Sequence, residues 1–239
     1  MRNKFSEIVS KIGYRDERIC VVVADISPAG AMIKFRENSS ISIKFEGTDL
    51  LSNMMDEFTQ KGNIVYSEQT IAKTRSKNCT DGFDLHIYPV TGITKNVNGI
   101  WDCTISAANM APISRGSLTL EKNNLLGRPR IDQGYLTDSA DIDIKILMEG
   151  LEISREIASQ KDLAELIGPE LTETSTIVSI EDVRKSAFHY YHPAGTCKMG
   201  PQSDPLSVVD SFGKVHGVDN LYVIDASIMP NLSLIHISE

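Results

Sequence analysis

Five β-prone runs fall in the first half of this chain, and no helical crossover of a dozen residues separates most of them. Parallel neighbours need such a crossover, whereas antiparallel ones need only a short turn. The runs cover residues 18–24, 41–45, 83–90, 100–107 and 117–120. Ile41-Ser42-Ile43-Lys44-Phe45 alternates apolar and polar, the mark of a strand buried on one face. Residues 83–90 alternate as well and then meet Pro89. Residues 50–58 read as one short helix. The fold expected from this half is a mostly antiparallel sheet.

Further along, the pattern turns helical. From Asp141 onward, Ile142, Ile146, Ile153 and Ile157 fall near one face, with Leu147 and Leu151 beside them. Asp138, Ser139 and Asp141 are the candidate caps. A second helix is predicted to open at Ser179, where Asp182 stands at capping-box spacing and Ile180, Val183 and Ala187 keep the helical period. Pro193 cannot continue that helix, because it has no N–H to donate. His192 is therefore predicted at or just past a helix C-terminus, where the dipole favours the charged imidazole. Strands followed by helices, with no repeat, low-complexity segment or Gly/Ser linker between them, make an α+β fold: sheet flanked by helices.

Charge narrows the partners. There are 24 Lys and Arg against 32 Asp and Glu, a net charge of −8, and no basic run. Nucleic acid is thus not expected as a partner, because phosphate binding rests on clustered cations. No apolar stretch approaches the roughly 20 residues that span a bilayer. Residues 1–7 lack the apolar centre of a signal peptide. Cys20, Cys79, Cys103 and Cys197 form no C-x-x-C pair, so neither a zinc knuckle nor a redox dithiol is expected.

Candidate chemistry concentrates near the end of the chain. His192-Pro193-Ala194-Gly195-Thr196-Cys197-Lys198-Met199-Gly200 pins a histidine between proline and two glycines. Such a histidine is either a proton-transfer group or a helix-end residue bonded to its own carbonyls, and spacing alone favours the second. Asp225 closes the strand-like run Leu221-Tyr222-Val223-Ile224. A carboxylate there either accepts from a cofactor or sugar hydroxyl, or caps the following turn with help from Ser227. Residues 216–220 read as a plain turn. His189 and His192 would share a helix face, but no third ligand stands at metal spacing, so no metal is assigned. Cys197 reads as a buried thiol rather than a nucleophile. His86 lies in a strand pattern and is given no role. No G-x-G-x-x-G and no G-x-x-x-x-G-K-S/T is present.

That block, extended by Val208-Val209-Asp210, Val215-His216-Gly217-Val218-Asp219-Asn220-Leu221 and Val223-Ile224-Asp225-Ala226-Ser227-Ile228-Met229-Pro230, resembles the C-terminal signature of the glucose–methanol–choline (GMC) flavin oxidoreductases. Upstream, Pro112-Ile113-Ser114-Arg115-Gly116-Ser117-Leu118-Thr119-Leu120, Pro129-Arg130-Ile131-Asp132 and Tyr135-Leu136 are similar to that family's passage into its last substrate-domain helices. The resemblance covers residues 83–232. It implies an FAD cofactor, an alcohol as the small-molecule substrate, and His192 as the base that takes the hydroxyl proton while hydride passes to the flavin. It further implies that Asp225 and Ala226 contact the FAD chain.

Two departures shape the expected organisation. The family's glycine-rich FAD fingerprint is not in this sequence, so the chain reads as the C-terminal part of a longer enzyme, inactive by itself. Residues 1–205 would be a partial substrate-binding domain and 206–233 a strand returning toward the FAD domain. After Ser233 the family runs into a Gly-Asn-x-Asn-Ala-Pro-type segment, whereas this chain reads Leu234-Ile235-His236-Ile237-Ser238-Glu239. Residues 234–239 are read as a foreign tail and His236 as accidental. The rival reading is a non-catalytic remnant that serves as a binding or interaction domain.

Overall fold

The computed structural model describes residues 20–21, 33–35, 39–63, 70–96, 98–119 and 128–230. In chain order the strands and helices are β1 (Cys20–Val21), β2 (Ile33–Phe35), β3 (Ser39–Gly47), α1 (Asp49–Gln60), β4 (Ala72–Thr74), β5 (Leu85–Lys95), β6 (Trp101–Asn109), β7 (Gly116–Thr119) and β8 (Arg130–Asp132). After these come α2 (Ile142–Ala158), α3 (Lys161–Ala164), β9 (Ile167–Glu170), α4 (Thr172–Ser175), α5 (Ile180–Ser186), β10 (Phe188–His189), β11 (Leu221–Tyr222) and a 3-10 turn, Ala226–Ile228. They fall into two units.

The larger unit comprises the described residues of Asn38–Ser114 and Tyr135–Tyr190. Its sheet runs β10-β3-β6-β5-β4, with β9 also on β3, and every pairing is antiparallel. The alternation in residues 41–45 is realised: Ile41, Ile43 and Phe45 are buried opposite Ala107, Ile105 and Cys103. They join Ile144, Leu147 and Leu151 of α2 in one core. Gly150 lets α2 press close, since a Cβ there would lie 2.7 Å from the Ala107 methyl. Burial pushes the Cys103 thiol of this core up to about 11.

Several expectations shift in detail. The strand expected over 83–90 is β5, which begins at Leu85 and extends through Pro89 to Lys95. Pro89 faces Ile105 of β6, and β4 reaches only residues 85–87, so the missing N–H falls where β5 has one neighbour. The buried stripe of α2 is Ile144, Leu147, Leu151 and Ala158 together with Ile146. Ile142, Ile153 and Ile157 are only half-buried at its margin. The cap of α2 is Asp138, whose carboxylate accepts from the N–H groups of Ile142 (2.7 Å) and Asp143 (3.2 Å); Asp141 makes no side-chain cap bond. The capping box of Ser179 and Asp182 forms as expected.

The main correction concerns His192. α5 stops at Ser186, and Ala187 is extended. Phe188 and His189 then pair with Ser40 and Ser39 on the edge of β3. His192 thus lies in a loop well beyond the helix, and His189 lies in a strand, so the two share no helix face. The pairing with β3 outweighs the helical period that runs into Ala187.

The smaller unit comprises Met1–Glu37, Arg115–Gly134 and Tyr191–Leu232. It holds an antiparallel sheet β2-β7-β8 and the pair β1-β11. The latter is parallel, with Cys20 opposite Leu221 and Val21 opposite Tyr222. The remaining residues of the predicted strand 18–24 lie outside the described residues, as do His236 and the tail.

Candidate active site

The loop that carries His192 is built by backbone bonds to two later segments of the smaller unit. On one side the N–H of Cys197 donates to the Ser227 carbonyl (2.9 Å) and that of Met199 to the Ile228 carbonyl (2.8 Å). On the other, Val208 N–H donates to the Lys198 carbonyl (2.8 Å) and Gly200 N–H to the Val209 carbonyl (3.0 Å). Cys197, Val209, Val215 and Val223 fill the small core beneath. His216, read from sequence as part of a turn, does more. Its Nε2 lies 3.0 Å from the Gly200 carbonyl, and its own N–H donates to Val208 (2.9 Å). Nothing in the local sequence signals that reach.

Two glycines are required here. Gly195 has φ +85°, a left-handed conformation that costs a side chain about 1–2 kcal/mol. At Gly200 a Cβ would collide with Ser207 Oγ. Gly200→Ala is expected to cost about 1–3 kcal/mol by overpacking, and adding Ser207→Ala, which removes the clashing oxygen, should restore most of it. Urea denaturation of the two variants checks this.

His192 itself is exposed, and the residue before it, Tyr191, has φ +62°. A bulky residue in the left-handed region is uncommon and marks a turn held by its surroundings. Pro193 fixes the chain on the other side. The backbone is thus constrained on both sides of His192.

β11 ends at Tyr222, short of the expected run to Ile224, so Asp225 stands three residues beyond the strand, where it caps the 3-10 turn. Its Oδ1 accepts from the Ser227 N–H (2.8 Å) and from the Ser227 hydroxyl. Its Oδ2 has no hydrogen-bond partner among the described residues. Asp225 is half-buried and Ala226 exposed. The turn-capping alternative is therefore realised, with one carboxylate oxygen left over. Lys198 bonds Asp204 (2.6 Å), and that bond, with the Leu206 N–H next, holds the Asp204 carboxyl below the usual range.

The structure thus ties the segments bearing His192 and Asp225 to one scaffold, because Ser227 and Ile228 serve both. Cys197 is buried, in keeping with a structural thiol. His86 is buried on β5, stacked on Phe83, with Nδ1 3.5 Å from the Tyr190 hydroxyl.

A sequence model of the GMC oxidoreductases matches residues 112–238, more than half of the chain. The chain belongs to the GMC oxidoreductase family. Among curated relatives, it is 42% identical over 135 residues to an alcohol dehydrogenase [acceptor] of Pseudomonas putida, covering 54% of this chain and 23% of that protein. It is 41% identical over 132 residues to the mitochondrial choline dehydrogenase of Mus musculus, covering 54% of this chain and 22% of the relative. The GMC chain thus matches less than a quarter of the length of either. Solved structures share the fold. A pyridoxine 4-oxidase from Mesorbium loti aligns with TM-score 0.65 at 23% identity, covering 84% of this chain and 40% of that one. A formate oxidase of Aspergillus oryzae, described with its FAD modification, aligns with TM-score 0.67 at 17% identity, covering 83% and 43%. These likenesses agree with the antiparallel sheet and flanking helices.

Proposed function

We propose that this chain carries the catalytic base of an FAD-dependent oxidoreductase acting on alcohols. One feature of the geometry supports the reading above others: the loop bearing His192 and the turn bearing Asp225 share the same backbone scaffold. A base and a cofactor contact must be held in register for catalysis, and shared bonds do that.

The residues present suit an FAD chain. Asp225 Oδ2 points to no protein donor among the described residues, and Ala226 beside it is small and exposed. A carboxylate oxygen shortly beyond a strand end accepts readily from a hydroxyl of a cofactor chain. Bound FAD would supply the hydride acceptor. His192 then takes the hydroxyl proton of the alcohol, so that the carbinol carbon can release hydride as the carbonyl forms. Neutral imidazole is the form that does this, and its proton later leaves to solvent.

The test is to purify the intact protein, assay bound FAD, and mix it anaerobically with choline and a panel of primary alcohols. Loss of the oxidised flavin absorbance with one of them is the expected result. Protein without FAD, or flavin that no alcohol reduces, would overturn the proposal in favour of a non-catalytic binding domain.

A further inference from the structure

We infer that Asp225 is a positioning residue for His192: its Oδ1 holds the turn on which the His192 loop is hung. The inference rests on the reading of His192 as the base, and goes beyond a role for Asp225 in cofactor contact.

The 3-10 turn Ala226–Ile228 is three residues long. Turns this short have poor hydrogen-bond geometry and little stability of their own. What fixes it is Asp225 Oδ1, which collects both the N–H and the hydroxyl of Ser227. Ser227 is only 3% exposed, so its donors have no ready replacement in water. The carbonyls of the same turn, Ser227 and Ile228, accept from Cys197 and Met199. A chain of direct bonds therefore runs from one carboxylate oxygen to the loop that begins at His192.

The opposite edge of the loop does not depend on Asp225. Gly200 donates to Val209, and its carbonyl meets His216. Loss of the cap should loosen one edge and spare the other. The two carboxylate oxygens also divide the work: Oδ1 is committed to the turn, while Oδ2 remains for a ligand.

The experiment compares Asp225→Ala and Asp225→Asn in the intact protein by amide hydrogen exchange, read residue by residue. In Asp225→Ala, exchange at Cys197 and Met199 is expected to accelerate at least tenfold. Gly200 and the amides of β3 and β6 should exchange as in the unaltered protein. Alkylation of the buried Cys197 should rise in parallel, with Cys103 in the sheet core as the unreactive reference. Asp225→Asn keeps an acceptor oxygen for the Ser227 donors and should restore protection at both amides. Unchanged exchange at Cys197 and Met199 in Asp225→Ala would overturn the inference, as would failure of Asp225→Asn to restore it. Should Asp225→Ala not fold, Ser227→Ala removes one of the two bonds to Oδ1. It is expected to give a smaller acceleration at the same two amides, and no acceleration there overturns the inference. Exchange reads the loop whether or not His192 proves to be the base, so the two readings fail separately.

Discussion

Replacing His192 with alanine is expected to slow flavin reduction by alcohol about 10²- to 10⁴-fold, the usual contribution of a positioned base. FAD content should be unchanged, because His192 is exposed and the loop scaffold is held by the backbone groups of Cys197, Met199, Gly200 and Val208. The pH dependence gives an independent check. A base accepts a proton only when neutral, so the rate in the unaltered protein should fall on acidification as the imidazole becomes charged. The His192→Ala variant should lose that fall and show a flatter profile. Stopped-flow reduction across pH measures both effects together. An alanine variant that reduces flavin at the original rate would assign the proton to another acceptor. It would leave the constrained turn at Tyr191 without a catalytic explanation.

Legibility in the sequence tracked the range of the interactions involved. Period-2 burial in β3 and the capping box at Ser179 are local, and both could be read directly. The end of α5 could not, because it is set by pairing of Phe188 and His189 with residues about 150 positions away. A sequence window sees Val183 and Ala187 in helical register but not the strand edge that competes for Phe188 and His189. The parallel pair β1-β11 has the same cause, joining Cys20 to Leu221. The tolerance of Pro89 within β5 is also non-local: a proline breaks a ladder only where its N–H is needed, and that depends on how far β4 extends. At Asp225 two alternatives stood open, a cap or a ligand acceptor. The structure shows the cap, made by Oδ1, and Oδ2 has no hydrogen-bond partner among the described residues, which supports the proposed ligand contact without competing with the cap. His192 and Gly200 were recognisable as a block, whereas the bonds that hold them needed the fold.

Asp143→Ala is expected to destabilise the larger unit by about 3–5 kcal/mol, the scale for leaving two or three donors without an acceptor. Asp143 opens α2 and is fully buried. Its Oδ1 accepts from the Asn109 amide (3.0 Å) and the Ile113 N–H (2.9 Å), and its Oδ2 from the Ser114 N–H (2.8 Å). Alanine would take this acceptor away from the buried Asn109 and Ser114, at about 1–3 kcal/mol each before relaxation, and from the N–H of the exposed Ile113 at less. The consequences spread, because Ser114 Oγ accepts from the N–H groups of Thr137 (2.8 Å) and Asp138 (3.0 Å), and Asp138 caps α2. One carboxylate thus fixes the end of β6, the segment after it and the start of α2 together. Asp143→Asn should recover part of the loss, since its carbonyl oxygen accepts as before while its NH₂ meets a donor instead of an acceptor. Urea denaturation followed by the fluorescence of Trp101, in β6 of the same sheet, separates the outcomes. A loss of about 4 kcal/mol for alanine and a smaller one for asparagine is the expected order. Equal losses would mean that the negative charge, rather than the count of acceptors, holds the three segments together.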